Sequence, residues 1–193
     1  MLGRHAAHKR QHRRFPLADG RLKLKALSMS LSPDDTVASR VGEALLSREA
    51  RLAVVESTAG GLISARLLSV AGASRWFDRG AVAYGGRSKQ DMTGIDVAIL
   101  REHGAVSLEA VAALAEGIRG ASGVNFALAE SGMAGPQGSR RSAKPVGAVV
   151  IAVSGPGGTD VKEYSFDGSR VEIMTQIADQ ALTCLGDYLE RST

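Results

Sequence analysis

The stretch Ala53-Val54-Val55-Glu56-Ser57-Thr58-Ala59-Gly60-Gly61 constrains this chain more than any other. An apolar run stops on an acid, passes a hydroxyl and two glycines, and gives way to helical spacing. That order reads as a buried strand, a tight turn and a helix start. Such a junction aims unpaired backbone N–H groups outward, where they can hold an anion. It also puts the Ser57 hydroxyl at the mouth of a sheet. Tyr84 follows 27 residues later, and Lys89 five after that. Serine, tyrosine and lysine together can supply a nucleophile and a base without histidine.

The rest of the chain supports an α/β reading. Ser32-Pro33 looks like a helix cap with proline at the first helical position, and Val37, Val41 and Leu45 mark a helix face to about Glu49. Strands are expected at 52–55, 81–84, 125–129, 148–153 and 161–166. Helices are expected at about 59–70, around Lys89, at 96–102 and from Ser107, where Leu108, Val111, Ala115 and Ile118 share a face. Residues 130–145 read as a long loop rich in Gly, Ser and Arg. Ser169 and Glu172 spell a capping box before a last helix with Met174, Ile177, Ala181, Leu185 and Tyr188 on one face. Strands and helices alternate until two strands stand side by side, which argues for one layered α/β domain with a mixed sheet.

Charge is unevenly placed. The chain of 193 residues has a net charge of +4, yet residues 1–28 alone carry +7 and residues 29–193 carry −3. The basic balance therefore gives the folded domain no nucleic-acid footprint. Three of the four histidines, His5, His8 and His12, also lie in 1–28. We read that segment as a basic, disordered extension, or as a product of the assigned start, since Met29 would serve as one; targeting is the minority reading. The domain is then 29–193. Cys184 is the single cysteine, which excludes an intrachain disulfide and fits a reducing cytoplasm. No apolar run nears the ~18–20 residues of a membrane span.

Several site classes are excluded by pattern. There is no G-x-x-x-x-G-K-[ST], no G-x-G-x-x-G after a strand and no G-x-S-x-G around any serine. The Tyr84–Lys89 spacing is one longer than Y-x-x-x-K. Only His103 lies within the domain, so a multi-histidine metal site is not expected, and a histidine-based triad would have to use His103, a loop residue that also reads as a helix end.

Six blocks carry a resemblance: ESTAGG (56–61), GASRWFDRGAVAYGGRSK (72–89), HGAVS (103–107), SGMAGPQG (131–138), KPVGAVVIAV (144–153) and FDGSR (166–170). Together, from about Ser32 to Arg191, the chain resembles the CinA C-terminal domain family, which includes nicotinamide mononucleotide amidohydrolases. The resemblance implies a single-domain three-layer α/β/α sandwich and a stand-alone form without the extra N-terminal domain of larger members. It implies hydrolysis of the carboxamide of nicotinamide mononucleotide, with a small-molecule nucleotide as partner and no metal or organic cofactor. A homo-oligomer is compatible with such a fold.

The same resemblance assigns Ser57 as nucleophile, Lys89 as base and Tyr84 as the group that orients the lysine or relays its proton. Thr58, Gly60, Gly61, Ser131, Gly132, Gly135 and Arg170 become the expected substrate-binding positions. Backbone N–H groups near Gly60 and Gly61 would hold an oxyanion or a phosphate, and Arg170 would pair with phosphate. Arg140, Arg141 and Lys144 make their loop basic. Taken singly, Ser57 reads as an N-cap, Tyr84 as a packed strand residue and Lys89 and Arg170 as solvated cations; the set gives them meaning. The family's E-S-C-T-G-G is here E-S-T-A-G-G, so Thr58 replaces cysteine and Ala59 replaces threonine. Its Y-S-N is Tyr84-Gly85-Gly86, and its G-D-R is Gly168-Ser169-Arg170. These departures keep two alternatives open: a non-catalytic nucleotide-binding or regulatory protein, and an amidohydrolase for another small amide.

Overall fold

The computed structural model describes residues 35–136 and 144–192. The expectations for 1–28, for Ser32-Pro33 and for Arg140 and Arg141 lie outside these residues. The elements run α1 (Thr36–Ser47), β1 (Leu52–Glu56), α2 (Leu62–Leu68), a 3-10 turn (Ala73–Arg75), β2 (Phe77–Val82), α3 (Gly86–Thr93), α4 (Val97–Glu102), α5 (Leu108–Ser122), β3 (Phe126–Gly132), β4 (Ala148–Gly155), β5 (Gly158–Ser165) and α6 (Arg170–Arg191).

The five strands form one mixed sheet in the order β2-β1-β3-β4-β5. β1 pairs in parallel with β2 and β3, while β3–β4 and β4–β5 are antiparallel. Side-chain alternation divides the sheet's two faces. Leu52, Val54, Phe126, Leu128, Val149, Ile151 and Val153 pack with α1, α2 and α6. Ala53, Val55, Ala127, Ala129, Val150 and Ala152 face α5 and its neighbours. Strands covered on both sides need apolar residues at nearly every position, as Leu52 to Val55 of the wholly buried β1 show. The result is the three-layer α/β/α sandwich expected.

The fold positions the site through β1. Its chain connection leads to β2 on one side, and its other neighbour is β3, so a crevice opens beyond the carboxyl ends of β1 and β3. Ligands of open α/β sheets bind at such a switch point. Glycine at 60 and 61, with φ of 67° and 104°, turns the chain out of β1 into α2.

Several element limits differ from the sequence reading. The first helix is capped by Asp35, whose carboxylate accepts the Ala38 N–H. α2 begins at Leu62 rather than near Ala59, because the two left-handed glycines delay it. β2 ends at Val82, and Tyr84 stands beyond it. β3 runs on through Ser131 and Gly132, which pair with Val150 and Val149 of β4; the neighbouring strand imposes extension on residues that local composition assigns to a loop. Leu108, expected inside, is 40% exposed, and the α5 core residues are Ala110, Val111, Leu114, Ala115 and Ile118. The Ser169–Glu172 capping box forms as expected.

Candidate active site

Ser57 and Lys89 meet at the floor of the crevice. Lys89 Nζ lies 2.8 Å from Ser57 Oγ, and both side chains are buried, Lys89 to 2% exposure. α3 carries the lysine and β1 delivers the serine. The Lys89 amine also donates to the backbone carbonyls of Ala83 at 2.7 Å and Tyr84 at 3.2 Å. Two carbonyls can occupy two N–H groups of a neutral amine and leave its lone pair for the Ser57 hydroxyl proton. Burial lowers the lysine pKa from its usual value, with the charge of Glu130 acting partly against that shift. The pair is thus suited to nucleophile and base.

Tyr84 is placed differently from the role expected of it. Its backbone carbonyl touches the lysine, but its ring is 66% exposed and its hydroxyl lies 3.3 Å from the Arg170 guanidinium. The phenol is therefore at the cavity rim and not in contact with the Ser57–Lys89 pair. Arg170, the first residue of α6, also donates to the Gly135 carbonyl at 2.6 Å. A strand expected to carry Tyr84 to the lysine stops two residues short, since β2 loses its partner once β1 ends.

The junction N–H groups are largely engaged by two buried carboxylates. Glu56 accepts from Gly61, Ile63 and Ser64, so it caps α2 from the end of the preceding strand. Glu130 Oε1 accepts from Ser57 at 2.6 Å and Ala59 at 2.8 Å. Gly61 is thus committed to Glu56, and of the two glycines expected to hold an oxyanion only Gly60 keeps its N–H clear of these carboxylates. Glu130 did not stand out as a site residue. The signal was present: FALAE, like LAVVE, is an apolar run closed by a glutamate, and the two strands are neighbours.

Thr58 joins the turn to β3. Its Oγ1 accepts the Gly132 N–H at 2.7 Å and donates to the Gly132 carbonyl at 2.9 Å. Gly132 thereby acts through its backbone. Around these residues lies a cavity of about 590 Å³, lined by Ser57, Thr58, Tyr84, Lys89, Ser131, Gly132, Gly135 and Arg170, together with His103 and Lys144. Gly60 and Gly61 are not among its walls. His103 caps the C-terminus of α4 at the cavity edge. Lys144 also pairs with Glu163. Among the described residues no group of three or more His, Cys, Asp or Glu side chains is arranged to hold a metal ion.

A buried serine–lysine pair beneath a cavity at the carboxyl end of a mixed sheet defines a class of α/β proteins. Within that class, residues 34–189 match the family described as CinA C-terminal domain, and the chain belongs to that family. A CinA-like protein of Acidobacterium capsulatum is 42% identical over 176 residues, which are 86% of this chain and 42% of that protein. The chain therefore spans about two fifths of the length of that curated relative. The competence damage-inducible protein A (ComA) of Klebsiella pneumoniae superposes with a TM-score of 0.78 at 30% identity, covering 82% of this chain and 98% of that one. The competence/damage inducible protein CihA of Agrobacterium tumefaciens gives 0.74 at 33% identity, covering 82% and 96%. Among the described residues no helix is long and apolar enough to cross a membrane.

Proposed function

We propose that this chain hydrolyses the carboxamide of nicotinamide mononucleotide, giving nicotinate mononucleotide and ammonia. The observation that carries the reading is the 2.8 Å approach of a buried lysine amine to a serine hydroxyl on a cavity floor. Ser57 Oγ attacks the amide carbon while Lys89 takes its proton. The tetrahedral intermediate collapses, the C–N bond breaks, and Lys89 returns the proton to the departing ammonia. Water then cleaves the acyl-serine by the same proton route. Arg170 has donors beyond those it gives to Gly135 and Tyr84, and with Lys144 it supplies positive charge for the substrate phosphate. The proposed partner is therefore a small nucleotide, and the chemistry requires no metal or organic cofactor.

One observation favours a second reading, hydrolysis of another small amide. Gly86, which stands where the family's Y-S-N motif has asparagine, offers no side chain to a substrate and is not among the residues lining the cavity. The deciding experiment follows ammonia release from nicotinamide mononucleotide and from a panel of other carboxamides, with Ser57→Ala alongside. Turnover of the mononucleotide that disappears in Ser57→Ala supports the first reading. Serine-dependent turnover of other amides alone transfers the support to the second. Ligand binding without turnover of any amide overturns both.

A further inference from the structure

Glu130 is a wholly buried ionisable group that the dyad chemistry leaves unused. It lies two residues before the end of β3 and faces the turn that carries the nucleophile. Its two oxygens have unequal surroundings. Oε1 accepts the N–H groups on either side of Thr58, which fixes the backbone that aims Ser57 Oγ at Lys89. Oε2 is buried with no hydrogen-bond partner. A buried carboxylate normally satisfies both of its oxygens, so the unpartnered one asks for an explanation, either an ordered water or a role in the chemistry beside it.

We propose that Glu130 is a positioning residue for the acyl transfer: one oxygen pins the Ser57 turn against Lys89, and through Ser57, which touches both groups, the buried carboxylate stands close enough to act on the lysine. The proposal rests on the amidohydrolase reading above for the reaction it serves.

The electrostatic surroundings make the two charges interdependent. Burial, and after it the nearby charge of Glu56, pushes the Glu130 carboxyl up to about 7 despite the backbone N–H groups that favour its ionised form. An ionised Glu130 favours the charged form of Lys89, and a protonated Glu130 withdraws that support. Other elements packed on β3 add little to this balance. β4 carries no ionisable side chain; Glu109, Glu116 and Arg119 of α5 lie on the opposite face of the sheet. On α6, Arg170 is bound to Gly135 and Tyr84, and Glu172 to the Ser169 N–H. Arg66 of α2 is paired with Asp35 and Asp179. Lys89 itself shares its cavity with the side chains of His103, Lys144 and Arg170.

The test is Glu130→Gln, which keeps an acceptor for the two N–H groups and removes the charge. The pH titration of the Lys89 13Cε resonance is followed in both proteins. In Glu130→Gln its midpoint should fall by at least about 0.5 pH unit, and the acid limb of the kcat/KM profile should move the same way. An unmoved midpoint in a folded variant overturns the proposal, because a merely structural glutamate would change the height of the profile and not its position. If Glu130→Gln does not fold, the reciprocal measurement decides: the Glu130 carboxyl should titrate at higher pH in Lys89→Met than in the native chain, and equal midpoints overturn the proposal. The resonance readout needs no substrate. A shifted midpoint without turnover of any amide leaves Glu130's hold on Lys89 standing and removes the amidohydrolase reading.

Discussion

Lys89 works only as a neutral amine, so its environment can be read out in activity. Its pKa is lowered, and it must be deprotonated to take the Ser57 proton. Activity should therefore rise with pH as Lys89 loses its charge, at a pH below that of an ordinary lysine. Lys89→Arg keeps the charge and cannot lose it, and should lower kcat at least ~100-fold at every pH. Thr58 offers a second residue-scale test. Thr58→Val is nearly isosteric but leaves the Gly132 N–H and carbonyl without their partner, and should cost about 1–3 kcal/mol in denaturant unfolding. If the variant unfolds with the native midpoint, the clamp between turn and β3 contributes nothing.

At the scale of elements, the lysine's position depends on how closely α3 lies on α5. Gly117 of α5 faces the end of α3: a Cβ there would stand 2.3 Å from the Thr93 carbonyl oxygen, and backbone cannot yield as a flexible side chain does. Thr93 in turn donates its hydroxyl to the Lys89 carbonyl at 2.7 Å. Gly117→Ala should therefore push α3 outward, destabilise the fold by about 1–3 kcal/mol and lower kcat with little effect on KM. Native stability and kcat in that variant would show that the helices can slide without disturbing the dyad. α2 obeys a similar logic at its start. Glu56 holds three of its N–H groups, so Glu56→Ala should loosen the α2 entry and expose its amides to faster hydrogen exchange than those of α5.

For the whole molecule, the buried ionisable groups set how stability depends on pH. Glu130 has an ordinary pKa in the unfolded chain and one of about 7 when folded. The folded state then binds more protons between roughly pH 4.5 and 7, so stability falls as pH rises through that window, by about 3 kcal/mol from this group. Lys89 has the opposite sign. Its folded pKa is lowered, the unfolded chain binds more protons above it, and stability climbs again toward the pH at which a free lysine titrates. Chemical denaturation across this range should show a shallow minimum, and in Glu130→Gln the descending limb should flatten. A native limb that is already flat would mean that Glu130 ionises as easily folded as unfolded.

What could be read from the sequence by itself was mostly what is local or periodic. The apolar runs, the helix faces, the Ser169–Glu172 box and the strand–turn–helix at 52–62 follow from spacing, since a period of two or 3.6 is written in neighbouring residues. Ser57 and Lys89 were legible as a pair through the resemblance of six blocks. Tertiary structure decided the rest, because it joins residues that no local pattern connects. Only the sheet order sets β3 beside β1 and brings Glu130 under the Ser57 turn from 73 residues away. Pairing with β4, together with the Thr58 clamp on the Gly132 backbone, keeps Ser131 and Gly132 extended. Where β1 ends, β2 ends too, and the tyrosine expected beside the lysine turns to Arg170, while the carbonyls of Ala83 and Tyr84 hold the amine. A side chain's identity is fixed by its codon, but whether it meets water, a carbonyl or a charge depends on which distant segment the fold lays against it.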